Sequence, residues 1–125
     1  MIRGRVNAHR EALVSLLLRG TQGEEHAAEA VIDTGYNGFL TLAPDLIKTL
    51  GFPFLRSSRA ILGDGSIVEF DIHEATVVWN NRLRRIPVDA ADVTPLLGMG
   101  LLYGHGLNIE VIEDGNVLIR SLAIS

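Results

Sequence analysis

The chain has 125 residues, 47% hydrophobic and 21% charged, which separates it from disordered and fibrous sequences and fits one domain, residues 1–125. The 11 lysines and arginines against 15 acidic residues give a net charge of −4, which argues against nucleic acid as the main partner. Cysteine is absent, so disulfide scaffolds, cysteine zinc sites, iron–sulfur clusters and thiol catalysis are excluded.

No apolar run approaches the length of a membrane span. Met1-Ile2-Arg3-Gly4-Arg5-Val6-Asn7 lacks the apolar region of a signal peptide, and the default expectation is a cytoplasmic protein with no membrane contact. The 13 glycines and 4 prolines point to tight turns between short strands.

In chain order, residues 4–8 read as a short strand. Glu11–Arg19 fits a helix or a strand buried on both faces, with strand slightly favoured. Thr21-Gln22-Gly23 is a turn, and Ala27–Ile32 a strand running into Asp33-Thr34-Gly35. Phe39–Leu42 is a further strand. Pro44 and Asp45 open a helix that carries Leu46, Ile47 and Leu50 and stops at Gly51. Ala60–Leu62 and Ile67–Phe70 flank Gly63-Asp64-Gly65-Ser66 as a hairpin. Ile72–Trp79 continues as strand, Asn80-Asn81-Arg82 turns, and Leu83–Ala90 returns. Thr94-Pro95-Leu96-Leu97-Gly98 ends that run, and Met99–Tyr103 suits a short helix. Leu107–Ile112, the turn Asp114-Gly115-Asn116 and Val117–Ile124 form a last hairpin. The expected class is all-β with one or two short helices.

Asp33-Thr34-Gly35 is the sharpest chemical feature. The apolar strand Ala30-Val31-Ile32 delivers Asp33 at the edge of a buried layer, where a charged carboxylate is costly unless paired. Thr34 offers a hydroxyl to a neighbouring loop, and Gly35 allows close backbone approach. A plain strand-to-turn transition uses the same residue types.

Val31-Ile32-Asp33-Thr34-Gly35, then Gly38-Phe39-Leu40-Thr41-Leu42, then the glycine-rich hairpin, then Leu96-Leu97-Gly98 before a helix: this order over residues 4–118 resembles the retropepsin-like (retroviral-type) aspartic proteases. The nearest resemblance is to a bacterial and archaeal branch with an aromatic residue after Asp-Thr-Gly. It implies a closed acid-protease barrel with a flap hairpin. It also implies a homodimeric peptidase, because two carboxylates must share one water and one proton and this chain has one Asp-Thr-Gly. By the same resemblance Asp33 is catalytic and Thr34 locks the two active-site loops across the dimer. Leu96, Leu97 and Gly98 pack beneath the loop, with Gly35 and Tyr36 as part of its support. Ile61, Leu62, Gly63, Asp64, Gly65, Ser66 and Ile67 form the flap over an extended peptide or protein substrate. No cofactor or metal is implied.

Tyr36 departs from the alanine or serine usual after Asp-Thr-Gly. A ring that crowds the carboxylate motivates the alternative, a weak or inactive peptide-binding or assembly dimer on the same fold. Other signals are weaker. His9, His26, His73 and His105 lack metal-site spacing. Gly98-Met99-Gly100 with Gly104 and Gly106 fails the dinucleotide pattern. Ser15, Ser57 and Ser66 lack a nucleophile-elbow motif. Arg82, Arg84 and Arg85 read as a solvated hairpin end, and Trp79 as a core or sheet-edge aromatic.

Overall fold

The computed structural model describes residues 1–123. The elements in order are β1 (Ile2–Val6), β2 (Ala12–Arg19), β3 (Glu25–Ile32), β4 (Leu40–Leu42), α1 (Pro44–Leu50), β5 (Phe54–Ile61), β6 (Ile67–Trp79), β7 (Arg82–Ala90), β8 (Leu96–Leu97), α2 (Met99–Leu102), β9 (His105–Ile109) and β10 (Asn116–Ser121). The chain is mostly β with two short helices, as its composition suggests. Among the described residues no helix is long and apolar enough to cross a membrane.

Strand side chains alternate between faces, and the buried set follows that period of two. Val14, Leu16 and Leu18 of β2, Ala28 and Ala30 of β3, Ile86 and Val88 of β7, and Val117 and Ile119 of β10 all point into one core. The ten strands run in the order β5-β6-β7-β4-β8-β3-β2-β1-β10-β9, and β6 also pairs with β2. That extra pairing closes the ring β6–β7–β4–β8–β3–β2. Outside the ring, β5 extends from β6 and the strands β1–β10–β9 extend from β2.

Strand β2 resolves the ambiguous segment Glu11–Arg19. It pairs with β3 along one edge. Its other edge pairs first with β1, through Ala12–Val14, and then with β6, through Leu17–Arg19. Two neighbours along its length explain why Leu13 and Leu17, on the second face, are also half-buried.

Several boundaries differ from the sequence reading. Strand β1 spans Ile2–Val6 rather than 4–8, and Asn7 turns back through bonds to Glu11. Strand β5 starts at Phe54, well before Ala60; Phe54–Ser57 are all exposed, so no burial period marked them. Leu96-Leu97 is a separate strand defined by partners distant in sequence. The last hairpin pairs His105–Ile109 with Val117–Ser121, leaving Val111 and Ile112 exposed in its loop. Ile124, the expected end of its second strand, lies outside the described residues.

Helix α1 is set by its ends. Pro44 opens it, and Gly51 closes it in the left-handed region at φ 72°. Its residues Ile47 and Leu50 are buried. Trp79 is a core residue at 5% exposure, and its indole N–H donates to His105 Nε2 at 3.1 Å. The acceptor role at Nε2 leaves the proton of neutral His105 on Nδ1, which lies 3.0 Å from Tyr103 O. The basic cluster is partly used in packing: the Arg84 guanidinium lies 5.8 Å from the centre of the Phe39 ring.

Thr41 is the one buried polar side chain among the described residues, and its hydroxyl oxygen accepts the Leu96 N–H at 2.8 Å. Thr41→Val keeps the shape and strands that N–H. We expect a loss of about 1–3 kcal/mol in urea unfolding, with Thr41→Ser recovering most of it. An unchanged midpoint for Thr41→Val contradicts this role.

Candidate active site

Asp33 follows the last residue of β3. The strand is held from the side by β8, which runs parallel to it with Val31 opposite Leu96 and Ile32 opposite Leu97. The Val31 N–H donates to Pro95 O and the Asp33 N–H to Leu97 O, both at 2.9 Å. The other edge of β8 meets β4, Leu97 opposite Leu40. The tripeptide Leu96-Leu97-Gly98 is therefore threaded between the strand entering the Asp33 turn and the strand leaving it. Leu97 and Gly98 are buried, and Leu96 is half-buried.

The backbone of this segment is fully engaged. The Gly98 N–H donates to Phe39 O at 3.0 Å, that of Met99 to Tyr36 O at 2.8 Å, and that of Gly100 to Gly38 O at 2.9 Å. With Leu96 bonded to Thr41, four donors around the turn into α2 find acceptors in residues 36–41. This is what fixes the path of the loop that carries the carboxylate.

Within the loop, Asp33 is half-buried while Thr34 and Gly35 are exposed. The Gly35 N–H donates to Asp33 Oδ1 at 2.9 Å, and the Tyr36 N–H to Asp33 O at 3.2 Å. The carboxylate is thus oriented by its own turn through Oδ1. It keeps partial access to water, more than its place at the edge of a buried layer suggests.

Tyr36 is accounted for by residues the sequence reading had not connected to it. Its hydroxyl donates to Asp89 Oδ2 on β7 at 2.5 Å. Its ring lies against Gly38 and Gly98: a Cβ at Gly98 would stand 2.5 Å from Tyr36 Cδ2, and one at Gly38 2.5 Å from Tyr36 Cζ. Burial first, then the bond and charge of Asp89, push the phenol well above its ordinary pKa, so it stays a donor. Asp89 and Thr41 are the residues missed. They sit opposite each other in the parallel pairing of β4 and β7. The one sequence signal for Asp89 was an acid on the strand Leu83–Ala90, on the face opposite Ile86 and Val88.

The expected flap residues form the tip of the β5–β6 hairpin. All seven, Ile61 through Ile67, are exposed, with Ile61 at 78% and Ile67 at 61%. The tip is built by its own bonds. Leu62 N–H donates to Ser66 O at 2.8 Å, and Gly65 closes the turn at φ 85°. The Asp64 carboxylate accepts the Ser66 hydroxyl at 2.6 Å and the Ser66 N–H at 2.9 Å, which together hold it below the usual carboxylate range. Asp64 is therefore a turn-forming acid. The projecting arms carry Phe54, Leu55 and Val68 exposed as well.

The crystal structure of a retropepsin-like aspartic protease from Rickettsia conorii is similar to this chain, with a TM-score of 0.63 and 19% sequence identity. The match covers 98% of this chain and 92% of that one. No protein-family model matches the chain, and no curated protein matches it in sequence. The chain has the retropepsin-like fold.

Gly98 is the tightest point of the loop assembly. The methyl group of Gly98→Ala meets both the Tyr36 ring and the Gly38 carbonyl. We expect Tm to fall by roughly 3–12 °C in calorimetry, the equivalent of about 1–3 kcal/mol of overpacking. Wild-type Tm in that variant contradicts the packing described.

Proposed function

We propose that this chain is an aspartic peptidase active as a homodimer, in which two Asp33 carboxylates, one from each subunit, activate one water. The observation that carries the reading is the threading of Leu96-Leu97-Gly98 beside β3, which presents Asp33 at a strand end with Oδ1 tied by Gly35. The fold shared with a retropepsin-like aspartic protease supports it.

The chemistry follows from two acids in one place. Like charges that close cannot both ionise, so the pair holds one proton. The ionised Asp33 takes a proton from water as the oxygen attacks the scissile carbonyl carbon. The protonated Asp33 gives its proton to the carbonyl oxygen, and a gem-diol forms. Collapse re-forms the carbonyl and breaks the C–N bond, with a proton passed to the leaving nitrogen. Thr34 stands exposed beside Asp33 and is assigned to the contact between the two loops. Substrate is an extended peptide or protein segment. It is bound by main-chain hydrogen bonds under the Ile61–Ile67 hairpin, whose exposed aliphatic side chains gain cover when it closes.

The alternative, a dimer that binds peptides without cutting them, was motivated by Tyr36 beside the carboxylate. The Tyr36 hydroxyl is bonded to Asp89 and its ring lodged at Gly38 and Gly98, so that motive is weakened.

A peptide-library digest read by mass spectrometry, run on wild type and Asp33→Asn with sedimentation on the same samples, tests the reading. Wild type should cut with a bell-shaped pH profile, and Asp33→Asn should remain dimeric and inactive. Equal cleavage by the two proteins overturns the mechanism. Peptide binding without any Asp33-dependent cut, across pH 3–7, establishes the binding dimer instead.

A further inference from the structure

We propose that Asp89 is a positioning residue for the Asp33 loop, acting through the Tyr36 hydroxyl. The inference rests on the peptidase reading and extends it to a pair of residues outside the Asp-Thr-Gly motif.

Tyr36 is bonded at three points. Its N–H closes the Asp33 turn at 3.2 Å, and its carbonyl accepts the Met99 N–H at 2.8 Å. Its hydroxyl reaches Asp89 at 2.5 Å, within the range of charge-assisted O–H···O⁻ bonds. The first bond stays within the turn and the second reaches the first residue of the four-residue helix α2. Only the third ties Tyr36 to a strand with neighbours on both sides. Strand β7 pairs with β4 through Thr41 opposite Asp89, and with β6 through Ile72 opposite Asp89. Asp89 is therefore a fixed point, and Tyr36 transmits its position to the turn three residues away.

Volume filling alone does not explain the arrangement. A phenylalanine fills the same space without a hydroxyl to satisfy. Instead the structure retains a half-buried acid on β7, next in line to buried Val88, which is unfavourable without a donor. It also retains glycine at 38, where the nearest neighbour of an added Cβ would be the Tyr36 hydroxyl oxygen. Asp89 and Gly38 thus both accommodate the hydroxyl end of the ring. Strand β6, opposite Asp89 at Ile72, continues to the hairpin tip at Ile67. The same bond thereby links the Asp33 loop to the strand that carries the flap.

The test uses the full-length dimer with Tyr36→Phe, Asp89→Ala, Asp89→Asn and the Tyr36→Phe/Asp89→Ala double variant. Tyr36→Phe and Asp89→Ala should each lower kcat about tenfold or more with KM within about twofold, because the loop is misplaced and the substrate contacts are not. The double variant should lose no more than either single one, as residues acting as one unit do. Asp89→Asn, which keeps an acceptor oxygen, should recover most of kcat. Deuterium uptake in the segment 97–100 should rise in Tyr36→Phe and Asp89→Ala and return toward wild type in Asp89→Asn. Wild-type kcat in both single variants overturns the proposal, as do additive losses in the double variant or no recovery in Asp89→Asn. If wild type itself shows no Asp33-dependent cleavage, the peptidase reading is what fails. Unchanged deuterium uptake in Tyr36→Phe and Asp89→Ala then overturns the Tyr36–Asp89 tether separately.

Discussion

The hydrogen bond from the Asp33 N–H to Leu97 O is the constraint on which the site depends. It exists because a two-residue strand lies between β3 and β4, parallel to one and antiparallel to the other. A chain that leaves β3, turns, and returns as β4 cannot pair directly with itself across this gap. The gap is filled by Leu96 and Leu97, whose own polar backbone is then satisfied from both sides. The buried Thr41 hydroxyl completes that accounting at Leu96. Asp33 is thus carried on a turn whose two ends are clamped by a third segment from 65 residues further along the sequence.

The clamp also explains the distribution of apolar and polar residues around it. Leu97 is fully buried beneath the loop, and Leu101 and Leu102 of α2 continue that layer. Thr34 and Gly35 face the other way and are exposed. A rigid apolar floor with a short polar turn above it orients one carboxylate toward solvent. The hairpin tip Ile61–Ile67 leaves Ile61, Leu62 and Ile67 exposed, apolar surface that gains from being covered.

Much of this was legible in the sequence, for identifiable reasons. An apolar run ending in Asp-Thr-Gly announces a strand end, and Gly63-Asp64-Gly65-Ser66 between aliphatic residues announces a hairpin. Pro44 and Gly51 mark the helix they bound. Strand β8 was not legible as a strand, since two residues carry no period and its pairing is long-range. The beginning of β5 escaped because Phe54–Ser57 are exposed alike and show no alternation. Tyr36 stood out as a departure from the alanine or serine usual after Asp-Thr-Gly, but its hydrogen-bond partner was not legible: the register of β4 and β7 brings Asp89, distant in sequence, within reach of the hydroxyl. Gly38 and Gly98 were visible as glycines. Their common purpose becomes apparent only when the ring is seen between them.

On the proposed reading, the one Asp-Thr-Gly of these 125 residues supplies half of a two-carboxylate site and a second copy of the chain supplies the other half. Mixing wild type with increasing amounts of tagged Asp33→Asn protein, with heterodimer formation measured by tag capture, tests it most directly. Cleavage per wild-type chain should fall toward zero as heterodimers replace wild-type pairs. Full cleavage per wild-type chain in a mixture shown to be mostly heterodimer would contradict the account.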